Sequence, residues 1–201
     1  MTIEVTKNTY KKDGKEYVRV TRVLDIIAKP EFYRWYAKYG WDYCIGVRDD
    51  RAAFGTRVHK EIQNWLEDKN IWVDNKDMGE TMDLFKEWVG IHDVVPEKLE
   101  FRLFNDDMGV AGTCDFFGKF DGKDMIIDWK TSKKVYDNYS LQVSAYLYMF
   151  EHQYKKRLDG AGIVCFRDGK IVEKYFSRDE CNELVKVFRN AREVYRWKYG
   201  K

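Results

Sequence analysis

Two aspartates near an Asp-Gly turn are the residues whose types and spacing most directly suggest chemistry. The turn at residues 121–122 separates two strand-like segments, GVAGTCDFFGKF and KDMIIDWKTS, and is typical of a two-residue β-hairpin. In that register Asp115 lies directly opposite Asp128, with the Cβ atoms about 5 Å apart. The spacing therefore predicts a pair of carboxylates on one face of a hairpin, provided that no β-bulge shifts the register.

A lysine completes the pair. Lys130 lies two residues past Asp128 and shares its face of the strand. Like charges directly opposite each other destabilise a sheet, and a divalent cation bound by oxygen ligands is the usual compensation. A second interpretation treats Asp128 and Lys130 as surface charges of an exposed sheet and Asp115 as an acid close to a turn. The residues alone leave both interpretations open.

The opposite face of the same hairpin is almost entirely apolar, and we expect it to pack on helices. Its members alternate with the charged positions: Cys114, Phe116, Phe120, Met125, Ile127 and Trp129.

The elements before the hairpin are mainly helical. IEVTKNTY and KEYVRVT, separated by KKDG, predict an N-terminal β-hairpin. Thr21 is the predicted N-cap of a short helix, VTRVLDIIAK. Pro30 is predicted to begin the next helix, because proline is tolerated in the first turn.

That helix, PEFYRWYAKYGWDY, has an aromatic stripe with two interpretations. Aromatic residues recur at helical spacing beside two cations: Phe32, Trp35, Tyr36, Tyr39 and Tyr43, beside Arg34 and Lys38. Such a stripe usually belongs to the core, which is the favoured prediction here. The alternative is an exposed platform on which nucleic-acid bases stack next to cations.

The remaining periodicity alternates between helix and strand. The predicted elements are helices Asp49–Asp68 and Met78–His92, a strand KLEFRLF, a helix Asn138–Arg157, a hairpin of GAGIVCF and KIVEKYF around Asp168-Gly169, and a helix Arg178–Tyr199. This order predicts an α+β or mixed α/β fold, with a central, mainly antiparallel or mixed sheet flanked by helices.

Composition limits the function classes. The chain has 201 residues and a net charge of +2. It has no apolar run of roughly 20 residues, and its first residues, MTIEVTKNTYKKDGK, lack the apolar segment of a signal peptide. We expect one domain in a cytoplasmic protein that is neither secreted nor bound to membranes.

Charge is unevenly distributed along the chain. Residues 1–60 carry a net charge of +5, residues 61–137 carry −8 and residues 138–201 carry +5. A carboxylate site for cations within a basic frame for a polyanion fits this distribution, and so do separate solvated helix faces.

The four cysteines are Cys44, Cys114, Cys165 and Cys181. They form no CxxC pair, which predicts reduced thiols and neither a zinc site nor an iron–sulfur cluster.

One region resembles a known family. GTCDFFGKFDGKDMIIDWKTSKKVYDNYSLQVSAY resembles the motif region of the PD-(D/E)xK nuclease superfamily, specifically its RecB-like exonuclease branch, which includes phage and mitochondrial DNA exonucleases. The order of the resemblance is a Gly-Thr-x-Asp strand, a hairpin, an Ile-Ile-Asp-Trp-Lys-Thr strand and a helix with Gln-x-x-x-Tyr. Upstream, GTRVHKEI resembles the helix that contributes a histidine, and VTRVLDII with the following aromatic helix resembles the N-terminal region. Cys114 replaces the proline for which the family is named.

The resemblance implies a restriction-endonuclease-like core in one nuclease domain, residues 1–201. Within it, residues 1–92 would form the N-terminal hairpin and helices, residues 93–157 the catalytic core, and residues 158–201 the C-terminal hairpin and helix.

The resemblance also implies roles for the charged cluster. Asp115 and Asp128 are the implied carboxylate ligands of Mg²⁺ or Mn²⁺, and the main-chain carbonyl of Trp129 is a further one. Lys130 is implied to hold the attacking water and to stabilise negative charge on the phosphate.

Two further ligands each have a structural alternative. His59 is an implied metal ligand through its neutral imidazole, and its alternative is a structural residue at a helix edge. Glu100 is implied to bind the metal directly or through water, and its alternative is a charge on a strand surface.

The segment after Lys130 supplies the remaining candidates. Gln142 and Tyr146, four residues apart on one helix face, are implied to orient the scissile phosphate or the water. Their alternative is a partly buried amphipathic helix. Contacts with backbone phosphates are predicted for Thr131, Ser132, Lys133 and Lys134.

These features predict a Mg²⁺- or Mn²⁺-dependent DNA nuclease. The resemblance indicates an exonuclease of replication, recombination or repair, encoded by a phage, with a single-strand-binding or recombination protein as a possible partner. The first alternative is a non-catalytic nucleic-acid-binding protein with the nuclease fold. The second is a structural module that binds divalent ions.

Overall fold

One mixed β-sheet organises the chain, and helices cover both of its faces. The computed structural model describes residues 2–27 and 29–200. Its strands are β1 (Ile3–Val5), β2 (Thr9–Lys12), β3 (Lys15–Arg19), β4 (Val94–Asn105), β5 (Val110–Phe120), β6 (Lys123–Lys130), β7 (Gly160–Arg167) and β8 (Lys170–Ser177). Its helices are α1 (Val20–Leu24), α2 (Pro30–Tyr39), α3 (Trp41–Leu66), α4 (Lys76–Ile91), α5 (Asp137–Tyr154) and α6 (Arg178–Tyr199). The predicted mixed fold with a helix-flanked sheet is confirmed.

The β5–β6 hairpin has the predicted register. Asp121 and Gly122 have φ values of 48° and 77°, as a two-residue hairpin turn of type I′ requires at both central positions. Antiparallel pairing extends from the pair of Phe120 and Lys123 to the pair of Phe116 and Ile127. The next pair in this register would be Asp115 and Asp128, where the paired region ends.

β5 divides one of its edges between two partners. β4 occupies the undivided edge, from the pair of Asn105 and Val110 to the pair of Val94 and Phe120. On the other edge, β3 pairs in parallel with the first two residues of β5, and β6 pairs with residues 116–120. Across the described parts of the chain, residues 112–115 have no strand partner on that edge. The sheet is therefore splayed at the position of Asp115.

Two clusters of buried side chains cover the two faces. Helices α1, α5 and α6 pack on one face around Phe117 and Ile126. Helices α3 and α4 pack on the other around Phe116, Ile127 and Trp129. The predicted packing of the apolar hairpin face on helices is thus confirmed for Phe116, Phe120, Met125, Ile127 and Trp129.

For Cys114 the predicted face is wrong, because this residue packs with Phe117 on the α5 side. Regular alternation fails at its neighbour Asp115, where the β4–β5 pairing is interrupted opposite Glu100. Glu100 has a left-handed φ of 47°, so the pleat is locally distorted there.

The exposed-sheet interpretation of the charged face is also wrong. Asp115 is 6% exposed and Asp128 is 1% exposed, because α5 covers this face as well.

The N-terminal segment contains one strand more than predicted. The hairpin is confirmed as β2 and β3 around Asp13-Gly14, but IEVTKNTY divides into β1 and β2, which pair with each other. Thr21 does not cap α1, since the helix begins at Val20 and has no side-chain cap. The predicted helix VTRVLDIIAK ends at Leu24, and its Ala28 lies outside the described residues.

The aromatic segment differs most from its prediction. Pro30 begins α2 as predicted, but Gly40, with a φ of 86°, ends the helix, and Tyr43 belongs to α3. The core interpretation of the stripe is wrong, because α2 buries none of its residues. Other helices already cover both sheet faces, which leaves α2 to pack against α3.

The other predicted elements are confirmed, but α3 begins at Trp41, eight residues before the predicted Asp49, and the remaining bounds change by four residues or fewer. α3 buries Phe54, Val58 and Ile62 along its predicted stripe. α5 connects the parallel strands β6 and β7, as such strands require a crossover. α6 begins at a capping box formed by Ser177 and Glu180.

All four cysteines are free and buried, and they belong to α3, β5, β7 and α6. Among the described residues, no helix combines the length and the apolar character that crossing a membrane requires.

A carboxylate far from the hairpin aspartates joins α4 to β8. Glu173 Oε1 accepts hydrogen bonds from the Trp88 indole N–H and from Tyr175 OH, the latter at 2.9 Å. His92 Nε2 lies 3.1 Å from the same oxygen. Trp88 is fully buried, so the loss of this acceptor would weaken the pairing of its N–H group.

We expect Glu173→Ala to lower the free energy of unfolding by about 1–3 kcal/mol, the cost of leaving buried donors poorly paired. Glu183→Ala is the matched control, because Glu183 is 71% exposed and its ion pair is with Lys186 on the same helix. Urea unfolding of both variants measures the difference. Equal stability of the two variants would contradict a structural role for Glu173.

Candidate functional site

The end of the β5–β6 pairing directs Asp115 into a buried polar site. Its Oδ2 accepts a hydrogen bond of 2.8 Å from the main-chain N–H of Trp129. The Asp115 side chain therefore pairs with a backbone N–H group of β6 at the position where the β5–β6 pairing ends.

Asp128 lies beside it on β6. Its Oδ1 accepts a hydrogen bond of 2.9 Å from Gln142 Nε2, and its Oδ2 forms an ion pair with Lys130 Nζ. Within the described residues, Oδ2 is buried and has no hydrogen bond of acceptable geometry. The Lys130 ammonium also lies over the ring of Tyr139, 5.1 Å from its centroid. The predicted Asp–Asp–Lys cluster is therefore present.

His59 and Glu100 reach the same site from α3 and β4. His59 Nδ1 lies 3.3 Å from Asp115 Oδ1 and 3.5 Å from Glu100 Oε1. One ligand atom from each of the three residues falls within 4.8 Å of the others. The strained φ of Glu100 accompanies the interrupted ladder opposite Asp115.

Burial and the interactions between neighbouring charges set the protonation of His59, Asp115 and Asp128. Burial alone would lower the pKa of His59, but Asp115 and Glu100 outweigh it and raise that pKa to about 10. Burial and the neighbouring Asp115 charge raise the pKa of Asp128 to about 6. Burial would likewise raise the pKa of Asp115, but His59 and Lys130 hold it below its ordinary value. Without a metal, the imidazolium and the ammonium compensate the two carboxylates.

Helix α5 supplies the predicted Gln142 and Tyr146. Gln142 Nε2 lies 3.2 Å from Tyr146 OH, so the expected neighbour relation is confirmed. The Tyr146 ring lies directly over Gly112, where a Cβ atom would come within 2.5 Å of Tyr146 Cε1. Glycine at this position therefore allows the ring to approach β5 beside the carboxylates.

The cluster lies in a cleft of about 1370 Å³ between α2, α3, α5 and the sheet. Apart from Lys130, seven cationic side chains line it among the described residues, and two carboxylates, Glu31 and Asp49, line it besides Glu100, Asp115 and Asp128. The seven are Lys7, Arg19, Arg48, Arg51, Lys60, Lys133 and Arg167. The folded structure thus contains the carboxylate site surrounded by cations that fits the charge distribution along the sequence.

The predicted phosphate contacts are only partly brought together. Thr131, Ser132 and Lys133 line the cleft, and Lys133 Nζ is 2.6 Å from Asp168. Lys134 is exposed, its ammonium lies over the Tyr136 ring, and it is absent from the cleft lining. For Trp129, the structure shows the N–H bond to Asp115, and the role of its carbonyl stays a prediction.

Sequence reasoning missed several residues of the cleft, among them Tyr139 and Arg167. Tyr139 lies under the Lys130 ammonium, and its position in the first turn of α5 after the strand was a usable signal. Arg167 donates from Nη1 to the Thr131 carbonyl at 3.2 Å. The parallel register of β6 and β7 places it there, and no local sequence pattern encodes that register.

The donor set fits a hard divalent cation. Ligand atoms of His59, Glu100 and Asp115 lie within 4.8 Å of one another, and Asp128 lines the same cleft, with its Oδ2 in contact with Lys130. Oxygen ligands with one imidazole suit Mg²⁺ or Mn²⁺.

A mixed sheet with a buried Asp–Asp–Lys cluster in a basic cleft defines a candidate hydrolase of phosphate esters. The family model of the PD-(D/E)XK nuclease superfamily matches residues 48–198, more than half of the chain. The chain belongs to the PD-(D/E)XK nuclease superfamily.

Solved structures similar to this chain include two that cover most of it. The crystal structure of SSO0001 covers 90% of this chain and 76% of its own, with 15% identity and a TM-score of 0.46. The crystal structure of a protein named "putative exonuclease", from Eubacterium rectale, covers 73% of this chain and 68% of its own, with 11% identity and a TM-score of 0.47. No curated protein matches the chain by sequence.

Proposed function

We propose that the protein is a Mg²⁺- or Mn²⁺-dependent nuclease that hydrolyses phosphodiester bonds of DNA. The observation that carries the proposal is the buried cluster of Asp115, Asp128 and Lys130, which His59 and Glu100 complete within a basic cleft. Membership of the nuclease superfamily supports the reaction class.

Five groups would hold the metal: the carboxylates of Asp115, Asp128 and Glu100, the imidazole of His59 and the main-chain carbonyl of Trp129. When bound, the metal supplies Lewis-acid activation and a clamp for the scissile phosphate. Binding through His59 requires release of the proton that this residue carries beside the two carboxylates.

Lys130 is the group proposed to act on the reacting atoms. Its ammonium lies at Asp128, where it can hold the attacking water and stabilise the negative charge that develops on the phosphate. The water oxygen bonds to phosphorus and the water loses a proton, the bond to the leaving oxygen breaks and that oxygen takes up a proton, and no covalent enzyme intermediate forms.

Gln142 and Tyr146 would position the reacting groups. Gln142 fixes the orientation of the Asp128 carboxylate through its hydrogen bond, and Tyr146 holds Gln142 in turn. The phosphate backbone would be bound by Thr131, Ser132, Lys133 and Lys134 with the cleft cations. Such contacts make binding independent of sequence and sensitive to salt.

The finer features of the proposal rest on the sequence resemblance. They are exonuclease action of the RecB-like type, a role in replication, recombination or repair, phage origin and, for a phage-encoded protein, a location in the cytoplasm of the bacterial host. The proposal also includes one nuclease domain over residues 1–201 and a single-strand-binding or recombination protein as partner.

The test uses purified protein and end-labelled DNA, single- and double-stranded, with Mg²⁺, Mn²⁺ or EDTA. Degradation that requires the metal supports the proposal, and early release of terminal label identifies exonuclease action. DNA that is bound but never cut with either ion would favour the non-catalytic alternative. A protein that neither binds nor cuts DNA would contradict both.

His59→Ala tests the metal site separately. We expect about a tenfold or greater increase in the Mn²⁺ concentration needed for half-maximal cleavage, because one donor of the set is lost. DNA affinity in EDTA should change little. An unchanged metal requirement would show that His59 is a structural residue.

A further inference from the structure

Helix α2 carries aromatic side chains that the protein core does not use. It buries none of its residues, and Tyr33 and Tyr39 are 65% and 50% exposed. The folding of the sheet and its covering helices therefore does not explain why this helix is aromatic.

Two of these rings belong to the cleft. Phe32 and Trp35 line it together with Asp115 and Asp128, whereas Tyr33 and Tyr39 lie outside its lining. The two ring centroids are 6.4 Å apart, with an interplanar angle of 51°, and both side chains are half-buried. One helix thus presents one pair of rings to the candidate site and another pair to solvent.

Cations accompany the rings on the same cleft wall. Arg48 and Arg51 of α3 line the cleft beside α2, and Arg48 Nη1 donates to Tyr36 OH at 2.8 Å. Lys7 and Arg19 of the N-terminal strand region also line the cleft. Rings for stacking within a groove of positive charge are the combination that binds single strands. In a duplex, neighbouring base pairs already cover the base faces.

We propose that α2 selects single-stranded over double-stranded nucleic acid by stacking substrate bases on Phe32 and Trp35. This inference rests on the proposed nuclease function and adds the substrate class. Each base stacked on a ring raises affinity about 5- to 150-fold. Duplex gains nothing from the rings, and its binding depends on the cations alone.

Two double variants of α2 form a matched pair for the test. Phe32→Leu/Trp35→Leu removes the rings that line the cleft, and Tyr33→Leu/Tyr39→Leu removes the same number from the solvent side. Fluorescence anisotropy in EDTA measures the affinity for a labelled oligothymidine and for a duplex of equal length. Circular dichroism confirms folding, and the single variant Trp35→Leu replaces the first double variant if that fails to fold.

We expect the cleft-side variant to lose about tenfold or more in single-strand affinity, with duplex affinity and the control variant within about twofold of wild type. Equal losses for both DNA forms, or equal losses in the two variants, would overturn the inference. Unchanged single-strand affinity would also overturn it and would favour a protein partner for α2. Cleavage is absent in EDTA, so failure of the nuclease proposal is scored separately, in the metal-dependent assay.

Discussion

Lys130→Ala should lower the rate of DNA cleavage by about 10²–10³-fold, the loss typical when one group that stabilises transition-state charge is removed. Its ammonium is the cationic group that contacts Asp128 directly. The side chain is only 16% exposed, so bulk water cannot readily substitute for it. The expected loss lies in the maximal rate at saturating Mg²⁺, with little change in DNA affinity.

Lys133→Ala is the matched control for Lys130→Ala. Lys133 follows the same strand and lines the same cleft, but its side chain is 71% exposed and pairs with Asp168. We expect weaker DNA binding with a shallower salt dependence, because one phosphate contact is lost, and a nearly normal maximal rate. A fully active Lys130→Ala protein would contradict the mechanism. Equal loss of rate in both variants would reduce Lys130 to one of several phosphate-binding cations.

The placement of Asp115 beside Asp128 could be predicted because it depends on local rules. An Asp-Gly turn fixes the hairpin register, and the register places Asp115 opposite Asp128 without any information from distant residues. The i, i+4 relation of Gln142 and Tyr146 is local in the same sense.

What could not be predicted depends on contacts between distant segments. The alternation that assigned Cys114 to the apolar face fails because Glu100, on another strand, interrupts the ladder beside it. Arg167 reaches Thr131 through the parallel register of β6 and β7, which only the folded sheet defines.

The aromatic helix shows the same limit most clearly. Periodicity indicates which residues share a helix face, but it does not show what that face meets. For α2 the covering elements of the sheet were already complete, so the stripe faces the cleft and solvent. Composition supports this outcome, because cations accompany the aromatic residues along α2 and into α3.

Asp115 joins three elements of the site. Its carboxylate contacts His59 of α3 and the Trp129 N–H group of β6, and it lies opposite Glu100 of β4. If Asp115 is a metal ligand, its negative charge is needed for the cation, whereas its contact with β6 needs only an oxygen acceptor. Asparagine separates the two roles, because its carbonyl oxygen still accepts the Trp129 hydrogen bond.

Asp115→Asn should therefore fold normally and bind Mn²⁺ more weakly by at least about 10–100-fold. That is the loss typical when a hydrogen-bond partner of a metal ligand is removed, and removal of a ligand itself should cost no less. Cleavage should fall in parallel, since the metal acts on the scissile phosphate. Titration calorimetry with Mn²⁺ measures the affinity without any need for activity. The control is Asp83→Asn on α4, where the side chain is 80% exposed and absent from the cleft lining.

Wild-type Mn²⁺ affinity in Asp115→Asn would remove this residue from the ligand set, whatever happens to cleavage. Loss of affinity with a lowered melting temperature would point instead to a structural role, because the metal-free protein would then depend on the ion pair with His59. Loss of Mn²⁺ affinity at unchanged stability is the result that assigns Asp115 to the metal. In that case the ion needs the Asp115 charge and the fold does not.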